Sequence, residues 1–367
     1  MKKILVVVDR LNSGGISTVV LNIAKALEKS EYQFDYICYE NPNESIKNFL
    51  KKNKSKVFVI NRLRDNNPLK YIKQIRKIIK ENGPYKAIHV HTSLFIWLAC
   101  YAAKKEKIHI RIGHAHGSKI QTKSISIKIF NSFLKYLNRR YCTKMLTCAE
   151  LSGKTNFGAD YKFLPNFLIE EEYLKKIDKN KNYYDDFSIS RTSKILAYIG
   201  YIGGEKNTRF LVDVLEKLVQ LDKEVILLII GEGRESQEIK NLFYEKKLLK
   251  NVRMLGQRND VKELLNFSDG LVMPSLSEGM SLAILEAQIL GKPCIVSNGV
   301  PNTNDIGANL FHKINSFDAE DWANNINKIL KDNIIIKRDQ ILKCLKNKKY
   351  DQQSVTKELI NIYNTID

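Results

Sequence analysis

Two glutamates, Glu278 and Glu286, stand with seven residues between them in the string SLSEGMSLAILEAQILGKPCIVS, residues 275–297. Between them the composition passes from small and polar to apolar at helical spacing, so a helix is predicted to begin near Ser281. A helix start leaves its first backbone N–H groups unpaired, here those of Ser281, Leu282 and Ala283, and presents the positive end of the helix dipole. That combination suits a diphosphate. Glu286, in the turns that follow, could accept hydrogen bonds from a ribose diol, and Glu278, ahead of the helix, from sugar hydroxyls. A capped helix with two solvated glutamates would show the same spacing. Small Gly279 and Ser281 permit close backbone approach, however, and Gly291-Lys292-Pro293 leads directly into another apolar run.

Other strings are placed to serve the same chemistry. NSGGIST (12–18) is a glycine-rich loop between the first predicted strand and helix, where a phosphate-facing loop belongs. YIGYIGGEKN (198–207) ends a strand and carries Lys206, while IIGEGRE (229–235) and VRMLGQRNDV (252–261) put Gly231, Gly256 and Gln257 at later strand ends. As residues alone, these glycines equally describe tight turns and Lys206 a solvated side chain. His89, His91, His114 and His116 alternate on two predicted strands, so each pair shares a face. They could ligate a metal, but no carboxylate or cysteine completes a familiar spacing, and structural histidines near strand ends are the plainer expectation.

The elements that must hold these residues follow from hydropathy. Apolar runs at 4–9, 34–39, 56–60, 87–91 and 109–116 read as strands, with helices at 18–29, 67–82 and 94–105. A second series begins near Lys194: strands at 194–200, 225–231, 252–256, 270–274 and 293–297, with helices at 208–221, 237–248, 261–268 and 281–291. Strands alternating with helices predict an α/β protein of two Rossmann-like, doubly wound domains, whose ligands lie beyond the carboxyl ends of the strands. The expected organisation is a first domain over 1–165, a linker over 166–193, a second domain over 194–345, and a final segment over 346–367.

At 367 residues, two domains are the default. Six scattered cysteines without CxxC spacing fit a reducing compartment. The start, MKKILVVVDR, reads as a buried strand rather than a signal peptide, and no apolar run approaches the roughly 20 residues of a membrane span. A cytoplasmic protein is expected. The net charge of +20 suits an anionic membrane surface or phosphorylated small molecules, or reflects a general lysine bias. No recognisable nucleic-acid motif accompanies it, so nucleic acid is not an expected partner.

The stretch P-S-x-x-E-G-x-x-x-x-x-x-E-A-x-x-x-G-x-P (274–293), with the strings above, resembles the retaining glycosyltransferases of family 4, which have the GT-B fold, and among them those that build bacterial capsules and exopolysaccharides. The resemblance runs along nearly the whole chain. It implies two domains facing each other across a cleft, the first on the acceptor side and the second binding the nucleotide-sugar, a last helix crossing back to the first domain, and transfer of a hexose-type sugar from that donor, UDP being preferred. It implies no metal and no carboxylate nucleophile. It further implies that the acceptor hydroxyl attacks from the leaving-group face and that the departing diphosphate can take the proton. By resemblance, Gly15 approaches the donor phosphates, Lys206 grips the diphosphate and His116, followed by Gly117, contacts the transferred sugar or the reaction centre. Gly231, Gly256 and Gln257 neighbour the base. Where the family carries an arginine ahead of that lysine, this chain has Tyr201, which supplies no positive charge. Two alternatives stay open: a GT-B-fold nucleotide-sugar 2-epimerase, which shares the architecture but lacks the 274–293 signature, and, because of Tyr201, a non-catalytic nucleotide-sugar-binding partner of another transferase.

The segment at 118–141 puts Ile125, Ile127, Ile129, Phe130, Phe133, Leu134 and Leu137 on one flank, with Lys119, Lys123, Lys128, Lys135, Arg139 and Arg140 around it. It could lie on an anionic bilayer, in keeping with a lipid-linked saccharide acceptor, or pack into the core with a solvated basic face.

Overall fold

Short apolar runs become parallel strands, and the amphipathic stretches between them become the helices that cover both sheet faces. The computed structural model describes residues 1–12, 14–63, 67–92, 95–117, 124–175, 182–332 and 335–365. Ser13 of the glycine loop and Lys119 and Lys123 of the basic segment lie outside the described residues. Two compact units form, Met1–Ile169 with Gln352–Asp367, and Glu170–Asp351.

In the first unit the order is β1 (Lys2–Val7), α1 (Gly15–Ala26), β2 (Tyr32–Cys38), α2 (Glu44–Lys52), β3 (Val57–Val59), α3 (Pro68–Asn82), β4 (Ala87–Val90) and α4 (Ile96–Lys105). There follow β5 (Ile110–Ala115), α5 (Ile125–Tyr141), β6 (Lys144–Thr147), α6 (Glu150–Asn156) and β7 (Lys162–Phe163). The strands are parallel in the order β3-β2-β1-β4-β5-β6-β7. β4 is buried along its whole length, as a central parallel strand covered on both faces must be.

Helix α3 shows how local sequence sets an element. Asn67 caps it by accepting the Lys70 N–H, Pro68 occupies its first turn, and Tyr71, Ile72, Ile75 and Ile79 form its buried stripe. Helix α2 corrects the sequence expectation, which ran from β2 directly to β3. Only Leu50 of α2 is buried, so it has no apolar stripe to read; its signals are the Asn43 cap, Glu44 at the start and Lys51 and Lys52 at the end.

The second unit comprises α7 (Glu170–Leu174), α8 (Tyr183–Asp186), β8 (Ile195–Ile199), α9 (Thr208–Leu221), β9 (Ile226–Ile230), α10 (Ser236–Glu245) and β10 (Val252–Gly256). It continues with α11 (Val261–Phe267), β11 (Gly270–Met273), α12 (Leu282–Ile289), β12 (Cys294–Ser297), β13 (Phe311–Ile314), α13 (Ala319–Lys331) and α14 (Arg338–Lys348). Its parallel sheet has the order β10-β9-β8-β11-β12-β13. The order reverses between β8 and β11, the topological switch point at which such sheets bind ligands. Two Rossmann-like domains of this kind constitute the GT-B fold.

Part of the segment expected as a linker belongs to this second core: Tyr183 and Ile189 are buried with Ile226, Leu228 and Leu264. Helix α15 (Gln352–Asn364) counts with the first unit, where Tyr363 is buried against the rings of Tyr32 and Phe34 and Glu358 pairs with Lys162.

Candidate active site

At the switch point of the second unit, the loop after β8 carries Lys206 and the loop after β11 carries Glu278. The two side chains form an ion pair, with Glu278 only 7% exposed and Lys206 29%. Ser275, itself buried, donates its hydroxyl to the same Glu278 oxygen at 2.7 Å. The loops are joined elsewhere as well, because the Leu276 backbone N–H donates to the Glu205 carbonyl at 2.7 Å and the Asn207 side-chain amide to the Pro274 carbonyl at 3.3 Å. The carboxylate and ammonium of 278 and 206, 72 residues apart in sequence, are thus one polar unit.

Helix α12 begins just after Glu278, with Ser281, three residues on, as its N-cap residue and Gly279 and Met280 leading into it. Its first helical hydrogen bond runs from Leu285 N–H to the Ser281 carbonyl, so the N–H groups of Leu282, Ala283 and Ile284 have no acceptor within the helix. No acidic side chain occupies its first turn to compete for them. The Ser281 N–H, expected to be free, is not: it donates to the Asn304 side-chain oxygen at 2.7 Å, while the Asn304 amide donates to the Gly279 carbonyl at 2.9 Å. Buried Asn304 therefore sets the approach of the loop to the helix, a role that no local pattern in the sequence announced.

Glu286, one turn further on, accepts a hydrogen bond from the Tyr173 hydroxyl at 2.6 Å. Burial pushes its carboxyl up to about 7, opposed in part by that hydrogen bond. Near neutrality the group is poised between forms, and a ligand that donates to the carboxylate favours ionisation.

The glycines at the neighbouring strand ends permit backbone to meet backbone. A Cβ on Gly231, whose φ is +135°, would fall 2.0 Å from the Gly200 carbonyl oxygen. The Gly231 N–H donates to the Gly256 carbonyl at 2.8 Å. Both residues border a cavity of about 410 Å³ that Ile202, Met254 and Leu255 also line. Gln257 is exposed and donates to Glu232 at 3.3 Å. Tyr201, in the position of the expected arginine, accepts hydrogen bonds from the Arg234 backbone N–H at 3.0 Å and from Arg234 Nε at 3.2 Å.

In the first unit, Gly15 opens α1 with open space where a Cβ would be, and Gly14 precedes it at φ +101°. The N–H groups of Gly15 and Ile16 come before the first helical bond, from Thr18 N–H to the Gly14 carbonyl. The four histidines gather at the ends of β4 and β5. His116 Nε2 lies 2.9 Å from His91 Nδ1, His89 Nε2 lies 3.3 Å from His114 Nδ1, and His89 Nδ1 meets the Tyr363 hydroxyl at 2.8 Å. Burial lowers the pKa of all four, that of His116 to about 4, so the cluster is neutral at pH 7. His116 is thereby already engaged, with Cys148 Sγ 3.7 Å from its other nitrogen. Ring nitrogens of His89, His91 and His114 come within 4.8 Å of one another, with no carboxylate or thiolate in the group.

The exposed flank of α5 settles where its apolar residues lie. Leu134 is buried, whereas Ile125, Ile127, Ile129, Phe130 and Phe133 are exposed beside Lys128, Arg139 and Arg140. Among the described residues no helix is long and apolar enough to cross a membrane.

The model of the group 1 glycosyl transferases matches residues 180–348, and that of glycosyltransferase family 4 matches residues 13–151. Together with the fold, these matches define a GT-B-fold glycosyltransferase related to enzymes of polysaccharide biosynthesis. The chain is 27% identical over 375 residues to the putative glycosyltransferase EpsF of Bacillus subtilis, covering 99% of this chain and 96% of that protein. It is 28% identical over 297 residues to the UDP-Gal:alpha-D-GlcNAc-diphosphoundecaprenol alpha-1,3-galactosyltransferase of Escherichia coli, covering 77% of this chain and 76% of that one. Among solved structures, Anabaena Alr3699/HepE in complex with UDP-glucose superimposes with a TM-score of 0.78 at 17% identity, covering 98% and 99% of the two chains.

Proposed function

We propose that this chain is a retaining, metal-independent family 4 enzyme that moves a hexose-type sugar from a UDP-sugar to a lipid-linked saccharide acceptor in surface-polysaccharide assembly. The observation that carries the reading is the Lys206–Glu278 pair beside the start of α12. It puts a cation, a carboxylate and unpaired N–H donors together at the switch point, which is what a sugar diphosphate needs from a binding site. The names of relatives support the donor and acceptor classes: the Escherichia coli enzyme is named for UDP-Gal and a diphosphoundecaprenol-linked sugar, and the Anabaena structure holds UDP-glucose.

In this reading the donor diphosphate lies against the N–H groups of Leu282, Ala283 and Ile284 and draws Lys206 toward it. Glu278, released from part of its pairing, accepts from sugar hydroxyls, and Glu286 from the ribose. Ser281 and Gly279 serve by fixing the helix entry rather than by donating to phosphate. Gly231, Gly256 and Gln257 border the base, Gly15 approaches the phosphates, and His116, being neutral, hydrogen-bonds the transferred sugar rather than protonating it. The bond from the sugar C1 to the β-phosphate oxygen breaks, the acceptor oxygen bonds to C1 on the same face, and the acceptor proton passes to the diphosphate. Negative charge grows on the leaving group, where a fixed dipole and a cation stabilise it most. The exposed apolar and basic flank of α5 fits attachment to an anionic cytoplasmic membrane face, where lipid-linked acceptors are presented.

The test is transfer from UDP-hexoses to lipid-linked saccharides by the full chain and by Lys206→Ala and Glu278→Gln variants. A fall in turnover of about 10²–10³-fold is expected for Lys206→Ala, with the fold retained. Undiminished turnover in both variants would remove the reading. Activity should survive EDTA; loss restored by added divalent metal would refute the metal-independent step.

A further inference from the structure

A diphosphate that gains negative charge as its sugar leaves needs more cationic partner than Lys206 provides, because Lys206 is held by the nearly buried Glu278. The strand-end loops of the second unit, 200–207, 231–236, 256–260, 274–281 and 298–304, contain three cations: Lys206, Arg234 and Arg258. Arg258 is bound through Nε and Nη2 to Asp260, both at 2.8 Å. Arg234 differs. Its partner is a hydroxyl rather than a carboxylate, that of Tyr201, which accepts from both its backbone N–H and its Nε.

The arrangement is rigid where it needs to be. The Tyr201 carbonyl accepts from the Tyr198 hydroxyl at 2.7 Å. The Ile202 N–H donates to the Glu232 carbonyl at 3.1 Å, and the Gly204 N–H to the Glu235 carboxylate at 2.9 Å. A Cβ on Gly233 would sit 1.9 Å from the Ile202 carbonyl oxygen, so the loop bearing Arg234 lies directly on the loop bearing Lys206. With Nε bound to Tyr201, the terminal amino groups of Arg234 make no hydrogen bond to protein among the described residues. A guanidinium held at Nε with its outer edge free is suited to a two-point grip on a phosphate.

We infer that Arg234, positioned by the Tyr201 hydroxyl, is a phosphate-binding residue of the donor site. It supplies, from the loop after β9, the second positive charge that the loop after β8 lacks. The inference rests on the sugar-transfer reading and adds a residue to it.

Binding is measured with the purified full chain by calorimetry, using the nucleoside diphosphate selected from UDP, GDP and ADP and its own nucleoside as the uncharged control. Arg234→Ala is expected to weaken diphosphate binding about tenfold or more and to leave nucleoside binding unchanged. Tyr201→Phe, which keeps the ring and removes the acceptor, is expected to weaken the diphosphate by a smaller factor and to add nothing in the Arg234→Ala background. Both side chains are exposed, so the variants should fold, and an unchanged unfolding temperature verifies it. Equal loss of diphosphate and nucleoside, or no loss, overturns the assignment while wild-type binding leaves the sugar-transfer reading standing. Failure of wild type to bind any of the three diphosphates overturns both.

Discussion

Glu286 allows a prediction whose size follows from the structure. Its carboxyl is shifted from an ordinary 4.5 to about 7, chiefly by burial. A carboxyl raised in the folded state binds its proton more tightly there than in the unfolded chain. Its favourable contribution is therefore complete below pH 4.5, declines as pH rises, and is gone above about 7. At about 1.4 kcal/mol per pKa unit, the wild-type protein should lose about 3 kcal/mol of stability across this window from Glu286 alone. In Glu286→Gln the uncharged amide oxygen can still accept from Tyr173 and the titration is removed. Urea unfolding of both proteins between pH 5 and 8 should give nearly equal stability at pH 5 and a variant more stable by up to about 3 kcal/mol at pH 8. The same ionisation links to donor binding: ribose hydroxyls that donate to the carboxylate should make nucleotide binding release a proton below pH 7. A stability difference that stays constant from pH 5 to 8 would refute the argument, whatever its sign.

The remaining predictions concern the two sheets and the exposed helix. Gly231→Ala should destabilise the second unit by more than about 2 kcal/mol in urea unfolding, since both the positive φ and the 2.0 Å approach to Gly200 oppose a side chain. The buried histidines have pKa values lowered in the folded state, so their contribution is present above pH 6.5 and lost as pH falls toward about 4, the value for His116. The full chain should accordingly unfold on mild acidification with proton uptake, and His114→Gln should flatten the pH dependence of its urea midpoint below pH 6.5. Ile129→Asp with Phe130→Asp on α5 should abolish co-sedimentation with anionic vesicles at low salt that wild type shows; wild type failing to pellet would refute membrane attachment.

Much of the fold was legible because buried parallel strands are nearly pure apolar runs, as in ILLII of β9, and the helices between them carry wide stripes, as in α3 and α9. Helix α2 escaped because a helix that buries a single side chain has little hydrophobic periodicity to detect. In the string at 274–293 the helix start was legible, and it falls at Ser281 as expected, with Glu278 ahead of the helix and Glu286 within it. What lay beyond reading were the pairings made by the fold. Lys206 with Glu278, Tyr173 with Glu286 and Asn304 with Ser281 each join residues 23 to 113 positions apart. The Ser281 N–H was misassigned for this reason, its acceptor arriving from a distant turn. Whether the apolar residues of α5 face the core or solvent could be read only from burial, since the same spacing serves either face.

Sugar transfer itself is the central claim. The full chain, incubated with a panel of UDP-hexoses and lipid-linked saccharide acceptors, should produce an extended acceptor together with UDP, the new linkage keeping the donor's anomeric configuration by NMR. Recovery of an isomerised free donor, or tight donor binding with no turnover on any acceptor, would contradict it.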